Sequence, residues 1–315
     1  MLEPIGVKRD SVVTSIGRMV YYTPSEGPWS DNTASKGDSQ STLVFLHGFG
    51  GGSSAYEWSK VYPAFASDYR VLAPDLIGWG RSEHPERNYQ IDDYLTTIRE
   101  FLTATCSEPV TVIASSLTAA FTIRLAVDYP DLFQSLIVTT PSGLSDFGEN
   151  YGRSFFAQFV SLPVIDRVLY YSAIATSEGI RSFLENRQFA RPERIYPEMI
   201  DAYLDSAQQG NAEYAALSFV RGDLSFDLSL YLPQLKVPTA MIWGEKTQFT
   251  SAELGKRLAS LNPTAVQHLE TLDDVGLTPQ LELPAVTIGL IRRYLKSLGE
   301  AKINNTASEV VTKSL

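Results

Sequence analysis

Histidine is scarce in this chain of 315 residues: there are three, His47, His84 and His268, and none follows residue 268. A chain with so few imidazoles has few candidates for a general base and no His/Cys cluster able to hold a metal, so no metal is expected. A single cysteine, Cys106, excludes an intrachain disulfide and reads as a buried or half-buried structural thiol. No run approaches the roughly 18 apolar residues of a membrane span. The first residues, Met1-Leu-Glu-Pro-Ile-Gly-Val-Lys-Arg, carry no apolar signal-peptide core, so the cytoplasm is the expected compartment. Basic charge is also short: 26 Lys and Arg stand against 36 Asp and Glu, a net charge of −10. That balance argues against nucleic acid and against docking on anionic lipid. No glycine fingerprint for a nucleotide follows the first strand, and no cofactor is expected. The expected partner is a small-molecule ligand or substrate; a protein partner is not indicated.

What is present is an ordinary globular composition, 44% hydrophobic and 20% charged, enough for one large domain with an insertion. Short β-type runs at Ser11 to Thr14 and Arg18 to Thr23 precede a polar, aperiodic stretch from Pro24 to Ser41, read as a loop. Apolar strands then alternate with helical patterns. Thr42 to His47 is a strand, Ser53 to Ala66 a helix, Tyr69 to Asp75 a strand and Ile91 to Thr105 a helix. The next strand begins at Val110, with a helix from Leu117 to Val127 and a strand from Ser135 to Thr140. That rhythm implies an α/β fold, a doubly wound, mainly parallel sheet of eight strands. Between about 144 and 235 helical segments follow one another (Phe155 to Ser161, Val164 to Tyr171, Ser177 to Glu185, Pro197 to Gln208, Ala212 to Phe219). They read as a helical cap over a core made of residues 1–143 and 236–300. About a third of the cap aromatics (Phe155, Phe156, Phe159, Tyr170, Tyr171, Phe183, Tyr203, Tyr214, Phe219) are expected to face a pocket. The rhythm resumes at Thr239 to Gly244, Ala252 to Leu261, Ala265 to Leu272 and Ala285 to Leu298. A flexible tail is expected over 301–315.

Within this pattern, Val110-Thr-Val-Ile-Ala-Ser-Ser-Leu-Thr is a strand turning sharply into a helix with Ser116 at the apex. His47-Gly-Phe-Gly-Gly, Asp75-Leu-Ile-Gly-Trp-Gly-Arg-Ser, Ala114-Ser-Ser-Leu-Thr, Ile242-Trp-Gly-Glu-Lys-Thr and Asp274-Val-Gly-Leu-Thr-Pro follow in order. Together these segments, over roughly residues 10 to 298, resemble the α/β-hydrolase superfamily in its capped, lipase- and esterase-like form. The resemblance implies Ser116 as the elbow nucleophile. It implies the backbone N–H groups of Phe49 and Leu117 as the oxyanion hole, and His47 as a structural residue of that loop. It places the acid at Thr247 and the base at Leu277, so both relay positions are replaced. Ala114 and Thr118 also stand where the elbow usually carries glycines.

A serine hydroxyl is a poor nucleophile without a base and an orienting acid. The paired replacement is consistent, because an Asp or an imidazole buried without its partner would cost several kcal/mol. Asp146, Asp273 and Asp274 are candidate substitute acids and Lys246 a candidate unusual base, if desolvation lowers its pKa. Two functions follow. One is a non-catalytic or very weakly active binder of a small apolar carbonyl or carboxyl compound. The other is a serine hydrolase with a non-standard base. A third class, a protein-interaction scaffold, would show an exposed apolar patch on the cap.

Overall fold

The computed structural model describes residues 4–29, 40–149, 167–248 and 250–312, with only the helical course of 300–312. Eight strands form one sheet in the order β1-β2-β4-β3-β5-β6-β7-β8. The first two, β1 (Val7–Val13) and β2 (Arg18–Pro24), pair antiparallel, and β2 meets β4 (Arg70–Pro74) antiparallel. From there β3 (Thr42–Leu46), β5 (Val110–Ser115), β6 (Phe133–Thr139), β7 (Thr239–Gly244) and β8 (Val266–Leu272) are parallel. Central strands are covered on both faces and are mostly apolar, whereas β1, at the edge, carries exposed Lys8, Arg9 and Asp10.

Side-chain alternation divides the core. Val112 and Ala114 of β5 face a cluster built on α1 (Ile91–Thr105), α2 (Ser116–Asp128) and the helical insertion. Ile113, between them, faces the opposite cluster with Trp58, Tyr62 and Phe65. The insertion between β6 and β7 contains α3 (Ser177–Phe183), α4 (Pro197–Ala207) and α5 (Ala212–Arg221). The expected helix Phe155 to Ser161 lies outside the described residues, as do residues 164–166 of Val164 to Tyr171 and the aromatics Phe155, Phe156 and Phe159. After β7 come α6 (Ala252–Ser260), the single turn α7 (Pro279–Glu282) and α8 (Pro284–Thr312).

Two expectations are corrected. Ser53 to Ala66 is not an α-helix but two 3-10 turns, Ala55–Trp58 and Tyr62–Phe65. Pro63 has no N–H to continue a helical ladder, and the break leaves each turn short. The regular structure also does not end near residue 298, because α8 runs to Thr312 in place of the expected tail. After Gly299 the chain holds neither proline nor a further glycine, so nothing in the backbone stops the helix.

Candidate active site

Sheet geometry delivers one serine to a strained position. β5 is hydrogen-bonded to β3 and β6 on its two sides and stops at Ser115, and α2 begins with Ser116. At the junction Ser116 has φ +56°, left-handed backbone that a residue with a Cβ adopts at a cost of about 1–3 kcal/mol. The buried strand and helix on either side hold it there. Ala114 and Thr118, both fully buried, are accommodated without relaxing the turn. Ser116 is half-buried among buried neighbours, and its hydroxyl has no hydrogen-bond partner among the described residues.

The loop opposite comes very close. A Cβ on Gly48 would lie 3.3 Å from the Ser116 Cβ, tighter than most real contacts, so glycine permits the approach. Beyond it, the Phe49 ring packs edge-on between Trp79 at 5.1 Å and Tyr94 at 4.8 Å. No acceptor takes that N–H among the described residues, and the N–H of Leu117 sits in the first turn of α2, where helix donors have no intrahelical acceptor. Three cap aromatics reach this loop: Phe183 against Gly50, Phe219 against Phe49 at 6.0 Å, and Tyr203 against Gly52. Tyr170, Tyr171 and Tyr214 instead bond to Ala207, Glu213 and Glu86.

Each imidazole is engaged elsewhere. His47 is fully buried, with Nδ1 donating to the Gly48 carbonyl at 2.7 Å and Nε2 accepting from the Leu76 N–H at 3.0 Å. Burial lowers its pKa to about 4. His84 meets the Gly80 carbonyl at 3.2 Å, and burial lowers its pKa as well. His268, at the amino end of β8, contacts the Ser297 hydroxyl at 3.0 Å and stacks on Tyr294. The sign for His47 is clear. A histidine kept neutral in the fold contributes stability that is fully present above the unfolded pKa near 6.5 and is lost as pH falls toward 4. Relative to a His47→Gln variant, the protein is therefore expected to lose about 2 kcal/mol between pH 7 and pH 4.5, measured by urea unfolding at each pH. A pH-independent difference would contradict the neutral, doubly bonded ring.

The relay positions hold other contents. Thr247 turns back onto its own loop: its hydroxyl bonds the Thr250 carbonyl and accepts the Thr250 N–H at 3.2 Å. Leu277 is buried, and its N–H donates 2.7 Å to the Gln188 carbonyl of the cap. Of the candidate substitute groups, Asp274 is held by Arg191 at 2.7 Å and Arg194 at 3.4 Å, which keep its carboxyl below the usual range. Asp146 accepts from Ser142, the Gly143 N–H and the Leu228 N–H. Asp273 is exposed. Lys246 is exposed and paired with Glu245 at 3.1 Å, so the desolvation that would make it a base is absent. Asp75 fixes its loop as expected, accepting from the Ala55 and Arg81 N–H groups, and burial raises its pKa to about 6. The Arg81 guanidinium reaches instead to Asp205 of α4 at 2.6 Å.

The sequence reading missed Glu57, Gln188 and Gln280, and named Tyr203 only as one of the cap aromatics. Glu57 is buried, and its Oε2 accepts the Gly48 N–H at 2.8 Å. Its Oε1 accepts from the Tyr203 hydroxyl at 3.1 Å, which in turn accepts from Gln188 Nε2 at 2.7 Å. Burial pushes the Glu57 carboxyl up. Gln280 Nε2 donates 3.2 Å to Ser115 Oγ, one residue from the elbow. An acid wedged in Ala55-Tyr-Glu-Trp58, directly after the glycine loop, was the available signal.

Residues 41–276 match the family described as alpha/beta hydrolase fold. The chain belongs to the α/β-hydrolase fold family. Its curated relatives include a 2-hydroxy-6-oxononadienedioate/2-hydroxy-6-oxononatrienedioate hydrolase of a Pseudomonas species, 26% identical over 82% of this chain and 90% of the relative. Epoxide hydrolase 4 of Mus musculus is 24% identical over 81% of this chain and 72% of that protein. Among solved structures, a serine hydrolase involved in carbazole degradation superposes with a TM-score of 0.71. It is 18% identical and covers 92% of this chain and 99% of its own. In this α/β-hydrolase the sheet, the order of strands and the inserted helical region follow the family.

Proposed function

We propose that this α/β-hydrolase binds a small, largely apolar carbonyl or carboxyl compound at Ser116, beneath a cap spanning 144–235, and turns over ordinary esters at or near the background rate. The observation that carries the reading is the elbow serine kept at φ +56°, taken with Leu277 and Thr247 at the positions that the resemblance assigns to base and acid. The strain argues that the exposed hydroxyl still matters, since a purely structural serine would gain by relaxing. In this reading the Phe49 and Leu117 N–H groups receive the ligand oxygen. The three histidines, each held in hydrogen bonds to other residues, support the absence of a relay.

A second reading, a serine hydrolase with a non-standard base, is favoured by the relatives, whose names are those of hydrolases. A fluorophosphonate probe separates the two. With no imidazole bonded to Ser116 among the described residues, the protein is expected to remain essentially unlabelled under conditions that saturate an active serine esterase. Rapid labelling that disappears in Ser116→Ala would replace the first reading with the second.

A further inference from the structure

We infer that the Ser116 site selects uncharged carbonyl or hydroxyl compounds and rejects carboxylates; this rests on the binding reading above and narrows it. The carrying observation is the position of Glu57. Its Oε2 and the Ser116 Cβ lie 3.4 and 3.3 Å from the same point beside Gly48, so the carboxyl is within about 7 Å of the elbow. It is fully buried, and its bonds come from neutral donors: the Gly48 N–H, the Tyr203 hydroxyl and Ser53. No cation neutralises it among the described residues.

Cations are committed away from the site. Arg81 pairs with Asp205, Arg167 with Glu213, and Arg191 and Arg194 with Asp274 and Glu282. His47 is held neutral by burial. A carboxylate reaching the oxyanion donors therefore meets, wherever Glu57 is ionised, a like charge with no counter-charge beside it. If Glu57 is protonated, the carboxylate still finds no cation to replace its lost water. An uncharged oxygen meets neither penalty.

The other flank offers neutral groups. Gln280 donates to Ser115, and its Oε1 is buried with no partner among the described residues. The hydroxyls of Thr278 and of Thr139, the latter in register with Ser115, are likewise buried and unpartnered. Such groups can pair with a hydroxyl or an amide-like donor and acceptor, and they bring no positive charge. The preference sets this chain apart from a site built for the dioate named for the Pseudomonas relative.

The test is a panel of matched pairs, each a methyl ketone and the carboxylate with the same tail, such as benzylacetone and hydrocinnamate, extended over alkyl and aryl tails. Binding to the full chain is measured at neutral pH by calorimetry and by ligand-detected NMR, with Ser116→Phe as the variant that blocks the site. Ketones are expected to bind at least about tenfold more tightly than their carboxylates, the scale of one charge repelled at this distance in a partly polar interior. Glu57→Gln is expected to narrow that ratio by improving the carboxylates. Should that variant fail to fold, the ratio in the unmodified protein decides alone. Equal affinity within pairs, or tighter carboxylates, would overturn the selectivity and leave the binding reading intact. No binding in either series, or binding unchanged by Ser116→Phe, would overturn the reading itself and the inference with it.

Discussion

Thr247→Asp and Leu277→His introduced together are expected to raise hydrolysis of p-nitrophenyl butyrate by about 10²-fold or more, the lower end of what a positioned general base contributes. The backbone for this gain is already in place. Leu277 is anchored by its N–H to the Gln188 carbonyl, and Gly276 by its N–H to Glu282 at 2.6 Å, so an imidazole at 277 starts from a fixed point. An aspartate at 247 can keep the local turn, because a carboxylate accepts the Thr250 N–H as the hydroxyl now does. Either change alone should give no more than a few-fold. Leu277→His would lack an orienting acid, and Thr247→Asp would place a charge without its partner. The unmodified protein should hydrolyse the ester at close to the buffer rate, with little change in Ser116→Ala. Robust turnover that vanishes in the serine variant would show that a base is already present.

The second large effect concerns the seam between core and cap. Gly52, with φ +91°, lies so close to α4 that an added Cβ would sit 2.1 Å from the Tyr203 carbonyl oxygen. Both the backbone conformation and the contact forbid a side chain there. Gly52→Ala is expected to cost more than about 4 kcal/mol, since α4 must move and the bonds from Tyr203 to Glu57 and from Ser206 to Ser53 and Gly80 are strained with it. The melting temperature should fall by roughly 10 °C, measured by scanning calorimetry. Gly210→Ala, where nothing lies within 4 Å, is the control and should change little. A Gly52→Ala protein as stable as the control would mean that α4 is not seated as described.

Much of this architecture was legible in the order of residues. Apolar runs such as Val110-Thr-Val-Ile declare strands buried on both faces, and the helix Ile91–Thr105 was readable end to end from its spacing. Ser116 stood out because strand, turn and helix signals met at one residue. Glu57 did not, because its burial depends on Tyr203 and Gln188, far along the chain, and no local pattern encodes that meeting. Ser53 to Ala66 was misread for the opposite reason: its apolar spacing is helical, but one proline decides the backbone. The pairing of Asp274 with Arg191 and Arg194 was equally hidden, since it joins a core loop to the cap across many residues.

The chain of contacts Gly48–Glu57–Tyr203–Gln188–Leu277 has a consequence for how the molecule breathes. It begins at the glycine loop, crosses into the cap and returns to the core beside the last strand. Both ends belong to the core and the middle belongs to the cap, so lifting the cap on this side breaks the two crossing links, Glu57–Tyr203 and Gln188–Leu277, together. Opening on this side is therefore expected to be cooperative, with both crossing bonds given up in one local unfolding event.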